Sequence, residues 1–271
     1  LTAIFLAWKY FTVPQQFFLP HGEFFNPIFI LVEVAICGIV TFYGIRLRRV
    51  LPVVLSVGQT AAILIYELWL KPEAQVARAH MEIDKLGVIM ALIIGVIGSL
   101  ICLFAVTYME DFHQHHKEYK DNSNQFIALL FVVISAMFGI VFSNNLIWMS
   151  VFWEVTTLSS FIFIKYTGTE EAKNNAFCAL NLNLVGGAAL AAAIVILGIG
   201  YGISDMAALV SAPRTDALFM IAVLLLTVAG ISKAAQFPFS KWLLGAMVAP
   251  TPTSALLHSS TMVKAGVFLL I

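Results

Sequence analysis

Long apolar runs, separated by short polar connections, are the dominant pattern of this chain. Seven or eight of them are long enough to cross a bilayer, which takes about 20 mostly apolar residues. The runs cover residues 28–45, 50–70, 86–108, 126–142, 146–164, 176–199, 217–235 and 254–271. Connections such as Ser-Asn-Asn after residue 142 are short, so neighbouring helices run antiparallel and pack side by side. The pattern predicts an all-α protein, a polytopic transmembrane helical bundle.

The first residues fit this pattern poorly. Lys9 and Pro14 interrupt the apolar positions of residues 1–27, which we interpret as a partial span or an interfacial segment. We assign N-terminal transmembrane helices to residues 28–125 and a further helix group to residues 126–271. The chain begins with Leu1 and ends at Ile271 inside an apolar run, so we expect it to be part of a longer polypeptide.

Composition supports a membrane protein and excludes several other classes. Hydrophobic residues make up 61% of the 271 positions and charged residues 11%, with a mean hydropathy of +0.94. The 15 basic and 15 acidic residues balance, and no dense basic stripe predicts nucleic-acid binding. The three cysteines lie in apolar runs without metal-ligand spacing, and no nucleotide motif is present. We therefore predict no cofactor or metal site in this chain.

Basic residues predict an orientation, because cytoplasmic loops of membrane proteins carry the positive excess. One side of the predicted bundle receives Arg46, Arg48, Arg49, Lys117, Lys120, Lys165 and Lys173. The other side receives Lys71, Arg78, Lys85 and Arg214. The first group is predicted to face the cytoplasm.

Three ionisable residues lie inside predicted spans: Glu154, Lys233 and Lys264. A charge there costs on the order of 2.5 to 3.5 kcal/mol on insertion scales. A structural ion pair between Glu154 and Lys233 would explain two of them. Three such groups together with His258, six positions before Lys264, favour a functional role over a structural one.

Other polar residues favour simpler interpretations. Glu33 and Glu67 in the first two spans are interpreted as structural or interfacial groups. The histidine-rich stretch of residues 113–121 is interpreted as a solvated loop, because no further ligand supports a metal site.

Proline predicts a broken seventh helix close to Lys233. Pro238, Pro250 and Pro252 fall in or near a polar connection, and proline removes a backbone donor. Irregular backbone at membrane depth is tolerated only where protein or water satisfies it. We therefore expect a helix break beside a cavity, a device that recurs in ion-moving proteins.

Two stretches give the chain a family resemblance. SNNLIWMSVFWEVTTLSSFIFIKYTGTEEAKNNAF and GISKAAQFPFSKWLLGAMVAPTPTSALLHSSTMVKAGVFLL resemble the proton-pumping antiporter-like subunits of respiratory complex I, Mrp-type antiporters and energy-converting NiFe hydrogenases. The resemblance covers residues 84–271. It implies about fourteen helices in two inverted five-helix repeats, of which residues 126–271 would hold the first, truncated within the eighth helix.

The resemblance also implies roles for individual residues. Glu154 matches the family's buried glutamate on the fifth helix, and Lys233 matches the central lysine of the broken seventh helix. His258 matches the eighth-helix histidine, and Lys264 matches a lysine found there in several members. In the family these groups form a hydrated proton relay near mid-membrane.

Within the family, WEVTTLSSFIFI, ALNLNLVGGAA and the N-terminal stretch most resemble the large membrane subunit of an energy-converting NiFe hydrogenase. That resemblance implies redox-coupled translocation of protons, or of Na⁺, as a subunit of an oxidoreductase in a prokaryotic plasma membrane. Iron–sulfur and NiFe centres would then lie in partner subunits, with other membrane subunits, a peripheral redox arm and lipid as partners. The alternatives are a complex I subunit, an Mrp-type Na⁺/H⁺ antiporter subunit, and a structural anchor for a redox module.

Overall fold

The computed structural model describes residues 2–11, 15–19, 24–70, 79–212 and 214–271. Pro14, Lys71 and Arg78, to which the sequence analysis refers, lie outside these residues. Within the described part, helices dominate and the only sheet is a small antiparallel pair formed by β1 (Gln15–Phe17) and β2 (Met81–Ile83). The predicted all-α class is confirmed.

Twelve α-helices occur among the described residues. They are α1 (Thr2–Tyr10), α2 (Phe25–Arg46), α3 (Val50–Ile65), α4 (Lys85–His115), α5 (Ser123–Phe142), α6 (Leu146–Ile164), α7 (Glu170–Tyr201), α8 (Met206–Ser211), α9 (Ala217–Lys233), α10 (Lys241–Gly245), α11 (Thr251–Ser254) and α12 (Met262–Leu270). A π-helical turn, Tyr66–Leu70, extends α3, a 3₁₀ turn, Ala246–Val248, follows α10, and a second π-helical turn, Ala255–Ser260, follows α11. Six helices, counted in the described ranges, are long and apolar enough to cross a membrane: α2, α3 with its π turn, α4, α5, α6 and α7.

Polar residues fix several helix starts. The side chains of Asp84, Asn145, Thr169, Asp205 and Asp216 each accept a hydrogen bond from a backbone amide in the first turn of the following helix. Such capping satisfies amides that have no partner inside the helix. The apolar runs supply the membrane-spanning length, and these caps decide where each helix begins.

A similar contact precedes α5. The hydroxyl and the backbone amide of Ser123 both donate to Asp121 Oδ1, at 2.7 and 2.9 Å. Hydrogen bonds from the Ser123 side chain and backbone hold the pKa of the Asp121 carboxyl below its usual range.

The centre of the bundle is formed by α6 and α7. Helix α7 packs against α3, α6 and α9, and α6 packs against α2 and α5 as well. The large side chains of Trp153, Phe161 and Phe163 on α6 are fully buried. In contrast, α2 and α3 expose many apolar side chains, as expected for helices that face lipid. Charged groups on α6 or at its contacts with α9 are therefore far from solvent.

The helix ends group the basic residues as the sequence predicts. Arg49, in the α2–α3 turn, donates through Nη2 to Asn174 Oδ1 near the start of α7, at 2.7 Å. His113 near the end of α4 contacts the hydroxyl of Tyr166, just after α6, at 2.8 Å. These connections share one end of the bundle. That this end faces the cytoplasm stays a prediction.

Residues 1–27 contribute three elements in their described part. Helix α1 packs against α4, β1 pairs with β2, and α2 begins at Phe25, three residues before the predicted start.

The predicted span over residues 254–271 is wrong as one continuous helix. The helix is interrupted at Thr261, whose φ of −130° and ψ of −81° are not helical. The amide and hydroxyl of Thr261 both donate to the carbonyl of Leu256, at 3.1 and 2.9 Å. This five-residue hydrogen bond widens the preceding turn into a π-helical turn, which the hydrophobic pattern does not reveal.

Candidate functional site: a buried lysine and two buried glutamates

Lys233 is the last residue of α9, and its side chain is completely buried. Its ammonium group donates to the carbonyl of Trp153, at 3.0 Å, and to the hydroxyl of Thr157, at 2.8 Å. It also lies 4.9 Å from the centroid of the Trp153 ring. Each contact is with a neutral group of α6, so hydrogen bonding and a cation–π contact hold the ammonium.

The helix break begins directly after Lys233. Ala235 has a φ of +52°, a region that is rare for residues other than glycine. The carbonyl of Ser232 accepts from the amide of Ala235, at 3.2 Å, and from the indole nitrogen of Trp242, at 2.9 Å. Protein groups therefore satisfy a carbonyl near the break, as irregular backbone at membrane depth requires.

The three prolines have different places. Pro238 lies in the connection between α9 and α10, five residues after Lys233. Pro250 directly precedes α11 and Pro252 lies in its first turn, where proline is well tolerated because those amides need no helical partner. Pro250 and Pro252 thus accompany the start of a helix, whereas Pro238 belongs to the break itself.

Glu154 lies on α6 with only 4% of its surface exposed. Among the described residues, no Glu154 oxygen lies within the 4.0 Å of an ion pair with Lys233, although the two charges interact electrostatically. Buried Oε2 of Glu154 has no hydrogen-bond partner among the described groups. The structure therefore brings Glu154 and Lys233 together as neighbours without direct contact.

Space for the Glu154 carboxylate comes from Gly187 on α7. A Cβ atom at this position would overlap Glu154 Oε1 and would lie 2.8 Å from Gln59 Oε1. The side chain of Gln59, on α3, therefore lies beside the Glu154 carboxylate. The absence of a side chain at Gly187 thus lets α3, α6 and α7 meet around this carboxylate.

Glu33 is a further member of the site that the sequence analysis interpreted as structural. It lies on α2, is 4% exposed, and accepts a hydrogen bond from the Thr60 hydroxyl at 3.3 Å. Its charge acts on Glu154. Gln59 and Thr60 are consecutive residues, so one turn of α3 lies beside both carboxylates. In the sequence, the polar pair Gln59-Thr60 within an apolar run is the signal that could have indicated a polar site on α3.

His258 and Lys264 are not bonded to this group. His258 is in the π-helical turn, where its Nε2 is buried without a hydrogen-bond partner among the described groups. Lys264 is partly buried on α12, which packs against α9. In the described ranges, no hydrogen bond or ion pair joins either residue to Lys233 or Glu154. Proton transfer to them would need water or a side-chain movement.

The chemistry available at the site is proton exchange. A lysine and two carboxylates with little solvent contact can change charge, and their charges influence one another strongly in a low dielectric. No group of three or more metal-ligating side chains occurs in the part of the chain that the structure describes.

Comparison with known proteins places the chain in a family. Residues 143–271 match the family model described as NADH:quinone oxidoreductase/Mrp antiporter, TM. Residues 69–119 match the model described as NADH-Ubiquinone oxidoreductase (complex I), chain 5 N-terminus. The chain belongs to the antiporter-like membrane-subunit superfamily. The resemblance stated from the sequence is confirmed, and the chain is an integral protein of the prokaryotic plasma membrane.

Individual relatives are antiporter subunits. A putative antiporter subunit mnhA2 of Staphylococcus haemolyticus is 39% identical over 193 residues, which cover 70% of this chain and 23% of the relative. A probable K(+)/H(+) antiporter subunit of Rhizobium meliloti is 37% identical over 195 residues, 70% of this chain and 19% of the relative. The chain therefore spans about a fifth of the length of these relatives.

A solved structure of an Mrp complex is also similar to this chain. The Mrp complex from Dietzia sp. DQ12-45-1b contains a chain that is 25% identical, with a TM-score of 0.60. The match covers 90% of this chain and 27% of that one. These relatives do not support the specific prediction of an energy-converting hydrogenase subunit, and they favour the Mrp-type alternative.

Proposed function

We propose that this chain forms part of the ion path of an Mrp-type cation/proton antiporter, in which Lys233 and Glu154 bind and release protons. The observation that supports this most strongly is the environment of Lys233. Its ammonium is completely buried at a helix break, held by a carbonyl and a hydroxyl, and the nearby carboxylate of Glu154 does not contact it. The relatives described above are antiporter subunits, which agrees with this role.

This geometry favours an ion path over a structural ion pair. A pair that only held helices together would be expected to place the two charges in hydrogen-bonded contact, because desolvation is otherwise poorly offset. Without that contact, the ammonium of Lys233 depends on the charge of Glu154 across a short distance in low dielectric. Neutralisation of Glu154 would then favour proton release from Lys233.

The proposed sequence of events follows from that dependence. A proton that reaches Glu154 neutralises it, Lys233 loses electrostatic stabilisation, and its own proton leaves. His258 and Lys264 are the next carriers in this proposal, reached through water near the π-helical turn. The return of negative charge to Glu154 would restore the protonated lysine.

A redox-coupled pump is the second candidate. The matched family models are described by NADH:quinone oxidoreductase and complex I as well as by the Mrp antiporter. In that case the charge of Glu154 would respond to partner subunits that hold iron–sulfur or NiFe centres. In both cases we propose further membrane subunits as partners of this chain.

The test is cation-driven proton movement in inverted membrane vesicles that contain the complete complex, without an electron donor. We expect addition of NaCl or KCl to move protons, whereas choline chloride should not. If protons move only when an electron donor is supplied, the antiporter proposal is wrong and the redox-coupled pump replaces it.

A further inference from the structure

Several oxygen atoms near Glu154 are buried without a donor. Glu33 Oε2, Gln59 Oε1 and Glu154 Oε2 accept no hydrogen bond from the described residues. Their side chains are 4%, 5% and 4% exposed. Buried acceptors are normally satisfied, because an unsatisfied one loses its hydration without a replacement. Three together on adjacent helices indicate that something else occupies the space between them when the site is filled.

Contacts across α2, α3 and α6 hold these oxygens together. The Thr60 hydroxyl donates to Glu33 at 3.3 Å, and the side chain of its neighbour Gln59 lies beside Glu154. Gln59 Oε1 and Glu154 Oε1 both approach the bare backbone of Gly187. Carboxylate, amide and hydroxyl oxygens from three helices therefore converge on one buried region. Oxygen ligands of this kind suit hard cations.

Charge indicates the kind of cation. When the carboxylates of Glu33 and Glu154 are ionised and Lys233 is protonated, these three residues together carry one net negative charge. A monovalent cation would neutralise it, and so would one proton. A divalent cation would leave an uncompensated positive charge in a region that water hardly reaches, which is unfavourable. The charged group of α9 that faces this region is Lys233. Glu67, in the π turn of α3, lines the crevice nearer the end of the bundle and is not one of these three charges.

A narrow crevice provides access. It is lined by Asn26, Glu33 and Glu67 together with apolar side chains of α2, α3 and α6. Its cavity volume of about 10 Å³ gives room for about one water molecule. Asn26 and Glu67 lie at the end of the bundle opposite the Arg46–Arg49 turn, whereas Glu33 lies eight residues into α2. The crevice thus leads from one end of the bundle towards the buried oxygens.

We propose that Glu33, Gln59, Thr60 and Glu154 form a binding site for a monovalent alkali cation, which competes there with a proton. This inference rests on the proposed antiporter function and deepens it. Cation binding would displace the proton that otherwise neutralises the carboxylates, so that one site alternates between the two ions. Glu33 would be a ligand in this site in addition to an electrostatic neighbour of Glu154.

The experiment measures cation-driven proton movement in inverted vesicles with the complete complex at graded NaCl or KCl, with choline chloride as the inert salt. The variants are Glu33→Gln, which removes charge at nearly constant size, and Thr60→Val, which removes only the hydroxyl. Glu82→Gln, a change in the partly exposed strand β2, is the matched control. The assembled complex is quantified in each membrane.

We expect Glu33→Gln to raise the half-saturating cation concentration about tenfold or more, and Thr60→Val to raise it severalfold. Glu82→Gln should leave it unchanged. The difference between the NaCl and KCl series identifies the preferred ion.

If both site variants keep the wild-type half-saturation while the wild type transports, the cation site is refuted. A lower rate at every cation concentration with unchanged half-saturation also refutes it, because Glu33 would then act on protons alone. If the wild type shows no cation-driven movement, the failure belongs to the antiporter proposal itself.

Discussion

Replacing Lys233 by alanine is expected to reduce cation-driven proton movement by about 100-fold or more, the range typical for loss of a group that transfers protons. The reason is that Lys233 is the buried base at the helix break and is held only by neutral groups of α6. Initial rates of proton movement in inverted vesicles with the complete complex measure the effect.

The same structure predicts that the complex survives this change. The carbonyl of Trp153 also accepts hydrogen bonds from the hydroxyls of Thr156 and Thr157, at 2.8 and 3.0 Å. This carbonyl therefore keeps hydrogen-bond donors when the Lys233 ammonium is removed. Lys233→Met serves as a second variant because it fills most of the vacated volume. Lys173→Ala is the control, since Lys173 pairs with Glu170 at the bundle end. Transport by Lys233→Ala at the rate of the control would contradict the proposed role.

Gly266→Ala is expected to lower stability and transport together. An added Cβ would overlap Ala234 N and Gly230 O and would lie 2.9 Å from Ala234 Cβ. Two of these atoms are backbone atoms at the C-terminal end of α9, on either side of Lys233, and backbone cannot rotate away. Overpacking of this kind typically costs about 1 to 3 kcal/mol. The apparent melting temperature of the purified complex should therefore fall.

Gly38→Ala is the control for that measurement. Gly38 lies on α2, and nothing would lie within 4 Å of a Cβ added there. Alanine is also the better helix former by about 1 kcal/mol, so this change should be neutral or slightly stabilising. If Gly266→Ala melts and transports like Gly38→Ala, the close contact between α9 and α12 does not support the site.

Much of the fold could be predicted from the hydrophobic pattern. Apolar runs of spanning length give the long helices, and the proline after Lys233 signals a break. The interruption at Thr261 could not be predicted this way, because it depends on hydrogen bonds to Leu256 that leave the apolar periodicity intact. Helix boundaries were similarly uncertain, since capping residues rather than hydrophobicity determine them.

The site could be predicted only in part for a related reason. Glu154 and Lys233 could be predicted as site residues, because desolvation makes charged residues rare inside membrane spans. Glu33 was interpreted as structural, since a sequence does not show which face of α2 meets Gln59 and Thr60. The structural ion pair of Glu154 with Lys233, considered from the sequence as the simpler explanation, is not formed. Thr157 and the Trp153 carbonyl occupy the contact positions around the ammonium instead.

The most direct test of the central claim, that Lys233 gives up its proton during transport, is Lys233→Arg in the complete complex. Arginine keeps the positive charge and can donate to the same acceptors, but it does not lose its proton in proteins. We predict that cation-driven proton movement falls at least about tenfold relative to Lys173→Arg, while the amount of assembled complex is unchanged. Transport within about twofold of that control would contradict the account, because a permanent positive charge would then suffice.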